Sequence, residues 1–191
     1  LVALPDVPPY SVIGLHATQD QAIAPVGLSI TQAGAVTVLE NALVRVEIEA
    51  GNVRRMIDKA ANREVLSAPS ALAAFEDRPL NFDAWDIDIY FEHRSETIEG
   101  VTSAVITEQG PLRAAVTITL RHDSKQLDFD TFIDWHEQHT LLKAAFPVNI
   151  LSPLATFDVQ WGNVQRSTHR NTSWDWARFE TCAHKWADLS E

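Results

Sequence analysis

Ala42-Leu43-Val44-Arg45-Val46-Glu47-Ile48-Glu49 is the stretch whose pattern decides the fold. Ala42, Val44, Val46 and Ile48 alternate with Leu43, Arg45, Glu47 and Glu49. A period of two sends successive side chains to opposite faces of an extended chain, so the run reads as a strand with one face buried. Gly51-Asn52 then supplies a turn, and residues 53–57 read as the returning strand of a hairpin.

Working outward, the pattern recurs. Ala114, Val116, Ile118 and Leu120 alternate with Arg113, Ala115, Thr117 and Thr119. After a turn over 121–126, Leu127, Phe129, Thr131 and Ile133 alternate with Asp128, Asp130, Phe132 and Asp134. Residues 87–91, 141–148, 155–160 and 179–186 are further strand-like runs. Residues 101–107 lead into a Gly110-Pro111 turn, and 67–76 have room for a short helical turn. No segment carries a long 3.6-residue apolar stripe, and no internal repeat is present. Many short strands without helices to cover a parallel sheet imply antiparallel sheets packed face to face. The expected class is all-β.

The chain of 191 residues is long enough to bury a core, with a composition ordinary for a globular domain. Residues 1–34 are read as a lead-in, a connector or a strand from a preceding domain, because four of the nine prolines fall within the first 30 positions. Residues 35–191 are read as the β-sandwich domain. The chain stops at Glu191 with no closing turn, which is the expectation for a piece of something longer. A net charge of −11 opposes binding to nucleic acid or to an anionic membrane, whose phosphates it would repel. No apolar run approaches a membrane span, and no signal segment opens the chain. Cys182 is the only cysteine, so no internal disulfide forms, and a reducing, cytoplasmic setting is expected.

Two clusters carry chemistry. In the last two dozen residues, Trp174, Trp176 and Trp186 are interleaved with His169, Arg170, Asn171, Asp175, Arg178 and His184. An aromatic ring stacks on the apolar face of a pyranose, while Asp, Asn, Arg and His bond its hydroxyls. The second cluster is Asn81-Phe82-Asp83-Ala84-Trp85-Asp86-Ile87-Asp88-Ile89-Tyr90. On a strand, Asp86 and Asp88 would share a face at roughly 7 Å, suited to sugar hydroxyls or to a glycosidase carboxyl pair. A strand with one solvated face explains the same spacing. Against that, no Lys or Arg within the run offsets the acids, and Trp85 adds a stacking surface.

Other signals are weaker. His136 and His139 in Trp135-His136-Glu137-Gln138-His139 are three apart after a strand, so they face opposite ways and make a poor metal pair. Asp128, Asp130 and Asp134 read as a solvated face with cross-strand pairing to Arg113-type positions. Asn171-Thr172-Ser173 fits a glycosylation pattern that is common by chance. Cys182 reads as a buried, inert thiol. No Gly-rich phosphate loop or nucleophile elbow is present in the sequence.

Both clusters sit in an ordered set of stretches. It begins with Leu39-Glu40-Asn41-Ala42-Leu43-Val44-Arg45-Val46-Glu47 and continues through Asp58-Lys59 to Arg63-Glu64-Val65-Leu66. Phe75-Glu76-Asp77-Arg78-Pro79, the 81–88 cluster and the run from Thr168 to Glu191 complete it. This set resembles the family 38 glycoside hydrolases, the retaining α-mannosidases, over about residues 35–191, and in its last run the cytosolic and bacterial branch. The resemblance implies an antiparallel β-supersandwich like the galactose-mutarotase fold, following a catalytic domain that carries the Asp nucleophile, the acid/base group and one zinc ion. None of those catalytic or zinc motifs is matched here, so no catalytic or metal residue is assigned and no cofactor is expected in this chain. It further implies a mannose-containing oligosaccharide as ligand, the catalytic domain of the same polypeptide as partner, and a homo-oligomer as an open option. Substrate contact is assigned to Trp85, Asp86 and Asp88, with His169, Arg170, Asn171, Trp174 and Asp175 lining or buttressing the same cleft. The alternatives are a stand-alone carbohydrate-binding sandwich, which would bind mannosides unaided, and a mutarotase-like epimerase, which needs an acid and a base across one pocket.

Overall fold

The alternating run around Val44 forms β3 (Val44–Glu49), and its hairpin partner is β4 (Asn52–Asp58). The computed structural model that contains them describes residues 9–12, 14, 27–83, 85–98, 105–109, 113–115 and 118–191. The chain divides into two compact units. The first comprises Leu1–Glu64 with Gly100–Asp134, and the second Val65–Glu99 with Trp135–Glu191.

In the first unit, β1 (Ser29–Ala33), β2 (Val36–Glu40), β3, β4 and β5 (Arg63–Glu64) form an antiparallel sheet in chain order. The sheet therefore runs across position 34. The β3–β4 reversal uses Ala50 and Gly51, both at positive φ, between the paired Glu49 and Asn52. That backbone matches the right-handed twist of the strands. Val44, Val46 and Ile48 are buried, as are Leu39 and Val53 on the neighbouring strands, each worth about 1.5–3 kcal/mol of apolar transfer. The alternate residues of β3 carry ion pairs: Arg45 to Glu40 at 2.9 Å and to Glu47 at 3.3 Å, and Glu49 to Arg54 at 3.1 Å.

A second sheet of this unit runs in the order β11-β10-β9-β8, with β8 at Glu108–Gln109, β9 at Arg113–Ala115, β10 at Ile118–Arg121 and β11 at Leu127–Phe129. Ile118 and Leu120 are fully buried. Asn41, 1% exposed, links this sheet to the first: its amide nitrogen donates to the carbonyls of Arg121 and Ser124, both at 2.7 Å.

The second unit holds two three-stranded sheets. In one, β6 (Ala71–Glu76) lies between β12 (Thr140–Ala145) and β7 (Ser95–Thr97). In the other, β13 (Leu154–Val159) lies between β14 (Gly162–Ser167) and β15 (Ala187–Asp188). A 3-10 helix at Ile89–His93 and the short helix α1 (Ser173–Ala177) are the helical pieces among the described residues. Every strand pair described is antiparallel, and the class is all-β as expected.

Several local expectations are corrected. Residues 67–76 do not turn helically: 71–76 are β6, paired along its whole length with β12. The run from Arg113 to Leu120 is not one strand, since β9 and β10 fold back on each other with Thr119 opposite Ala115. No Gly, Pro, Asn or Asp marks that reversal, and its residues 116 and 117 lie outside those described. The strand from Leu127 stops at Phe129. Asp128 pairs with Arg121 at 3.3 Å. The lead-in at 101–107 and its Gly110-Pro111 turn fall largely outside the described residues, and 105–107 are irregular. Residues 179–186 are irregular as well, because their backbone bonds go to a single position: His184 N–H donates to the Asp158 carbonyl and Lys185 N–H to its carboxylate. Without a strand there is no inward face, and Cys182 is exposed.

Candidate functional site

Both sequence clusters belong to the second unit. The 81–90 cluster is not a strand. Trp85 and Asp86 donate their backbone N–H groups to the Phe82 carbonyl at 2.7 and 2.9 Å, closing a turn in which Phe82 has φ of 58°. Residues 86–88 then lead, without regular structure, into the 3-10 helix. The shared strand face expected for Asp86 and Asp88 is therefore absent, and a rigid 7 Å spacing does not follow. The cause is local: the chain turns at 82–86 before any sheet partner is reached.

The turn presents its side chains outward. Trp85 is 92% exposed, beside exposed Leu80 and Phe82. Asp88 Oδ2 accepts the Leu80 N–H at 2.7 Å, tying the start of the loop to its end, and Asp86 accepts from the Ile87 N–H at 3.0 Å. Asp88 also lines a cavity of about 240 Å³ with Tyr90 and His93 from the 3-10 helix, Arg94 at its C-cap, and Glu76 and Arg78. Glu76 is clamped there, accepting from Arg94 at 2.5 Å and Arg78 at 2.7 Å. The hydrogen bond from Arg94 is the main reason its carboxyl lies below the usual range. A neighbouring cavity of about 390 Å³ shares Glu76, Arg78 and Arg94.

The C-terminal cluster divides its labour. Thr172 caps α1: its hydroxyl accepts the Asp175 N–H at 3.2 Å, while the Asp175 carboxylate accepts the Thr172 N–H at 3.0 Å. This is a reciprocal capping box. Ser167 and Thr172 hydroxyls donate to Asp175 at 2.8 Å, lowering its pKa, and His169 Nδ1 stands 3.6 Å away. Arg170 makes a two-pronged contact with Glu92 on the 3-10 helix, at 2.8 and 2.5 Å, and its guanidinium lies 5.4 Å from the centre of the Trp176 ring. Each partner favours the charged form of the other, so Glu92 titrates lower and Arg170 higher than usual. Lys143 supports the same helix, with its ammonium 4.0 Å from the Phe91 ring centre and paired with Glu180. Asn171 and Trp174 are exposed.

Thus the structure connects the two clusters through Glu92 and Arg170. Sequence reading missed Glu92, the Glu76–Arg78–Arg94 wall, and Tyr90 and His93 as cavity residues. Phe75-Glu76-Asp77-Arg78-Pro79 had marked the wall only as a stretch of the resemblance. Among the described residues no group of three or more His, Cys, Asp or Glu is arranged to hold a metal ion, so these side chains do not fit a zinc site. His139 instead has Nδ1 3.4 Å from Asp83.

Residues 39–191 match the family described as the glycosyl hydrolases family 38 C-terminal domain. Alpha-mannosidase 2C1 of Mus musculus is 38% identical over 178 residues, 83% of this chain and 17% of the relative. Its Homo sapiens counterpart is 36% identical over 177 residues, with the same shares. Alpha-mannosidase G of Dictyostelium discoideum is 38% identical over 164 residues, 74% of this chain and 15% of the relative. The chain thus spans only 15–17% of the length of these curated relatives. With the match running from the end of β2 through the aromatic-acidic turn to the capped α1 segment, the chain belongs to the family 38 glycosyl hydrolases, as a C-terminal domain of that family.

Proposed function

We propose that this chain is the C-terminal β-domain of an enzyme that hydrolyses terminal α-D-mannosides with retention. In this reading it supplies carbohydrate contacts and mechanical support to a catalytic domain on the same polypeptide. The similarity to three alpha-mannosidases supports the substrate, and the exposed Trp85 beside Asp86 and Asp88 supports the contact. Trp85 offers its ring to the apolar face of mannose, and the two carboxylates accept hydroxyl hydrogen bonds. In the same reading His169, Asn171 and Trp174 add contacts to the sugar, while Arg170 and Asp175 hold the 3-10 helix and α1 in place. Zinc belongs to the whole enzyme, with its ligands in the catalytic domain. The setting is cytoplasmic, and assembly into a homo-oligomer is compatible with it.

Titration of the ¹⁵N-labelled chain with methyl α-D-mannopyranoside tests the contact. The Trp85 indole N–H and the amides of Asp86 and Asp88 are expected to shift together, and Trp85→Ala to weaken binding by about tenfold. An unresponsive Trp85 at millimolar sugar would overturn the assignment.

A further inference from the structure

We infer that the neighbouring 390 Å³ cavity is a second sugar subsite, so that the domain reads an oligosaccharide over two residues; this rests on the mannoside reading above. The cavity that Asp88 lines is small at about 240 Å³, below the roughly 300–1,000 Å³ of typical small-molecule sites. The second is larger and shares Glu76, Arg78 and Arg94 with the first. A ligand that fills the first has its next residue beside the second.

The lining fixes the ligand class. The cavity sits where three strands converge: Glu76 of β6 pairs with Thr140 of β12, and Phe75 with Ser95 of β7. Glu76 and Glu96 balance Arg78 and Arg94, so the wall carries no net charge from these four groups. An anion such as phosphate would meet two carboxylates, and a divalent cation two guanidinium groups. A neutral polyol meets both donors and acceptors, which is what its hydroxyls need. Gln138, Thr140 and Ser95 add neutral polar groups to the same wall.

The rim is also held in place before any ligand arrives. His139 has φ of 52°, a left-handed conformation uncommon for a residue with a side chain. Its carbonyl accepts the Asp77 N–H at 2.8 Å, and its ring stands 3.4 Å from Asp83, in the loop that carries Trp85. Such fixed, strained positions gather at binding sites, where ordering in advance lowers the cost of association. His139 thereby couples the wall of the second cavity to the loop of the first.

Calorimetry with methyl α-D-mannopyranoside, a panel of α-linked methyl dimannosides and inorganic phosphate decides the matter. The best dimannoside is expected to bind the chain about tenfold more tightly than the single sugar. Gln138→Ala and Glu96→Ala, both at exposed positions, should bring it to within about twofold of the single sugar while leaving the latter unchanged. Equal binding of one and two rings, or a gain that survives both substitutions, overturns the second subsite but leaves the first. Phosphate binding more tightly than the dimannoside overturns the neutral-ligand assignment. If neither sugar binds, the mannoside reading falls and the second subsite with it.

Discussion

Asn41 uses its whole amide. Its oxygen accepts the N–H groups of Leu43 at 2.8 Å and Val44 at 2.7 Å, while its nitrogen donates to Arg121 and Ser124. At 1% exposure no water replaces these partners. Asn41→Ala leaves the buried Val44 N–H, the half-buried Leu43 N–H and two carbonyls without these partners and is expected to cost about 3 kcal/mol, read as a lower urea midpoint at unchanged slope. Asn41→Leu should do no better, because it restores volume without the bonds. Trp161 is the opposite case. It stands at the tip of the β13–β14 hairpin with φ of 67° and is 95% exposed, so it pays for a left-handed backbone with little packing in return. Trp161→Asn, which tolerates that region, should raise stability by about 1 kcal/mol in the same assay. A drop would mean that the indole has a partner its exposure does not reveal.

The 3-10 helix is held by side chains more than by its own backbone. Its N-cap, Asp88, makes no side-chain cap bond, and Glu92 instead reaches Arg170. Both partners are about one-third exposed, so solvent screens the pair, and a double-mutant cycle on Glu92→Gln and Arg170→Ala should yield only about 0.5–1 kcal/mol of coupling. The Glu92 carboxyl is held below its ordinary 4.5 chiefly by the hydrogen bond from Arg170. A carboxyl depressed in the folded state stabilises fully above its unfolded value. The coupling should therefore be constant above about pH 5, fade as pH falls through the depressed value, and shrink in about 0.5 M salt. Coupling that grew in acid would contradict this sign. This pair also shows where sequence reading stops. Strand β3 was legible because its alternation and its one-sided burial are the same fact seen twice. The 82–86 turn was not, since Asp, Ile and Tyr in alternation imitate a strand, and only the bonds to the Phe82 carbonyl reveal the bend. Likewise nothing local shows that Asp175 Oδ2 serves the cap of α1 while Oδ1 accepts from Ser167, and the 78-residue separation of Glu92 from Arg170 leaves no local trace.

At the scale of the whole molecule, the carboxylates with a clear displacement among the described residues share one direction. Glu40, Asp58, Glu76, Glu92 and Asp175 all lie below their ordinary values, chiefly through hydrogen bonds from Lys59, Lys125, Arg94, Arg170 and Ser167 in turn. A general acid for glycoside hydrolysis needs the reverse, a carboxyl raised by apolar burial so that it keeps its proton near neutral pH. It also needs a partner about 5–5.5 Å away for retention. Those five carboxylates are ionised well below neutrality, equipped to accept hydroxyl hydrogen bonds or to brace cations and not to protonate a leaving group. Binding and turnover should therefore separate. The chain alone, in zinc-containing buffer, is expected to release nitrophenolate from 4-nitrophenyl α-D-mannopyranoside no faster than buffer from about pH 4 to about pH 8, while the same preparation shifts its Trp85 indole signal on adding mannoside. Turnover above buffer that Asp88→Asn abolishes would place a catalytic carboxylate in this domain and sink the supporting role assigned to it. Silence in both assays would remove the ligand as well.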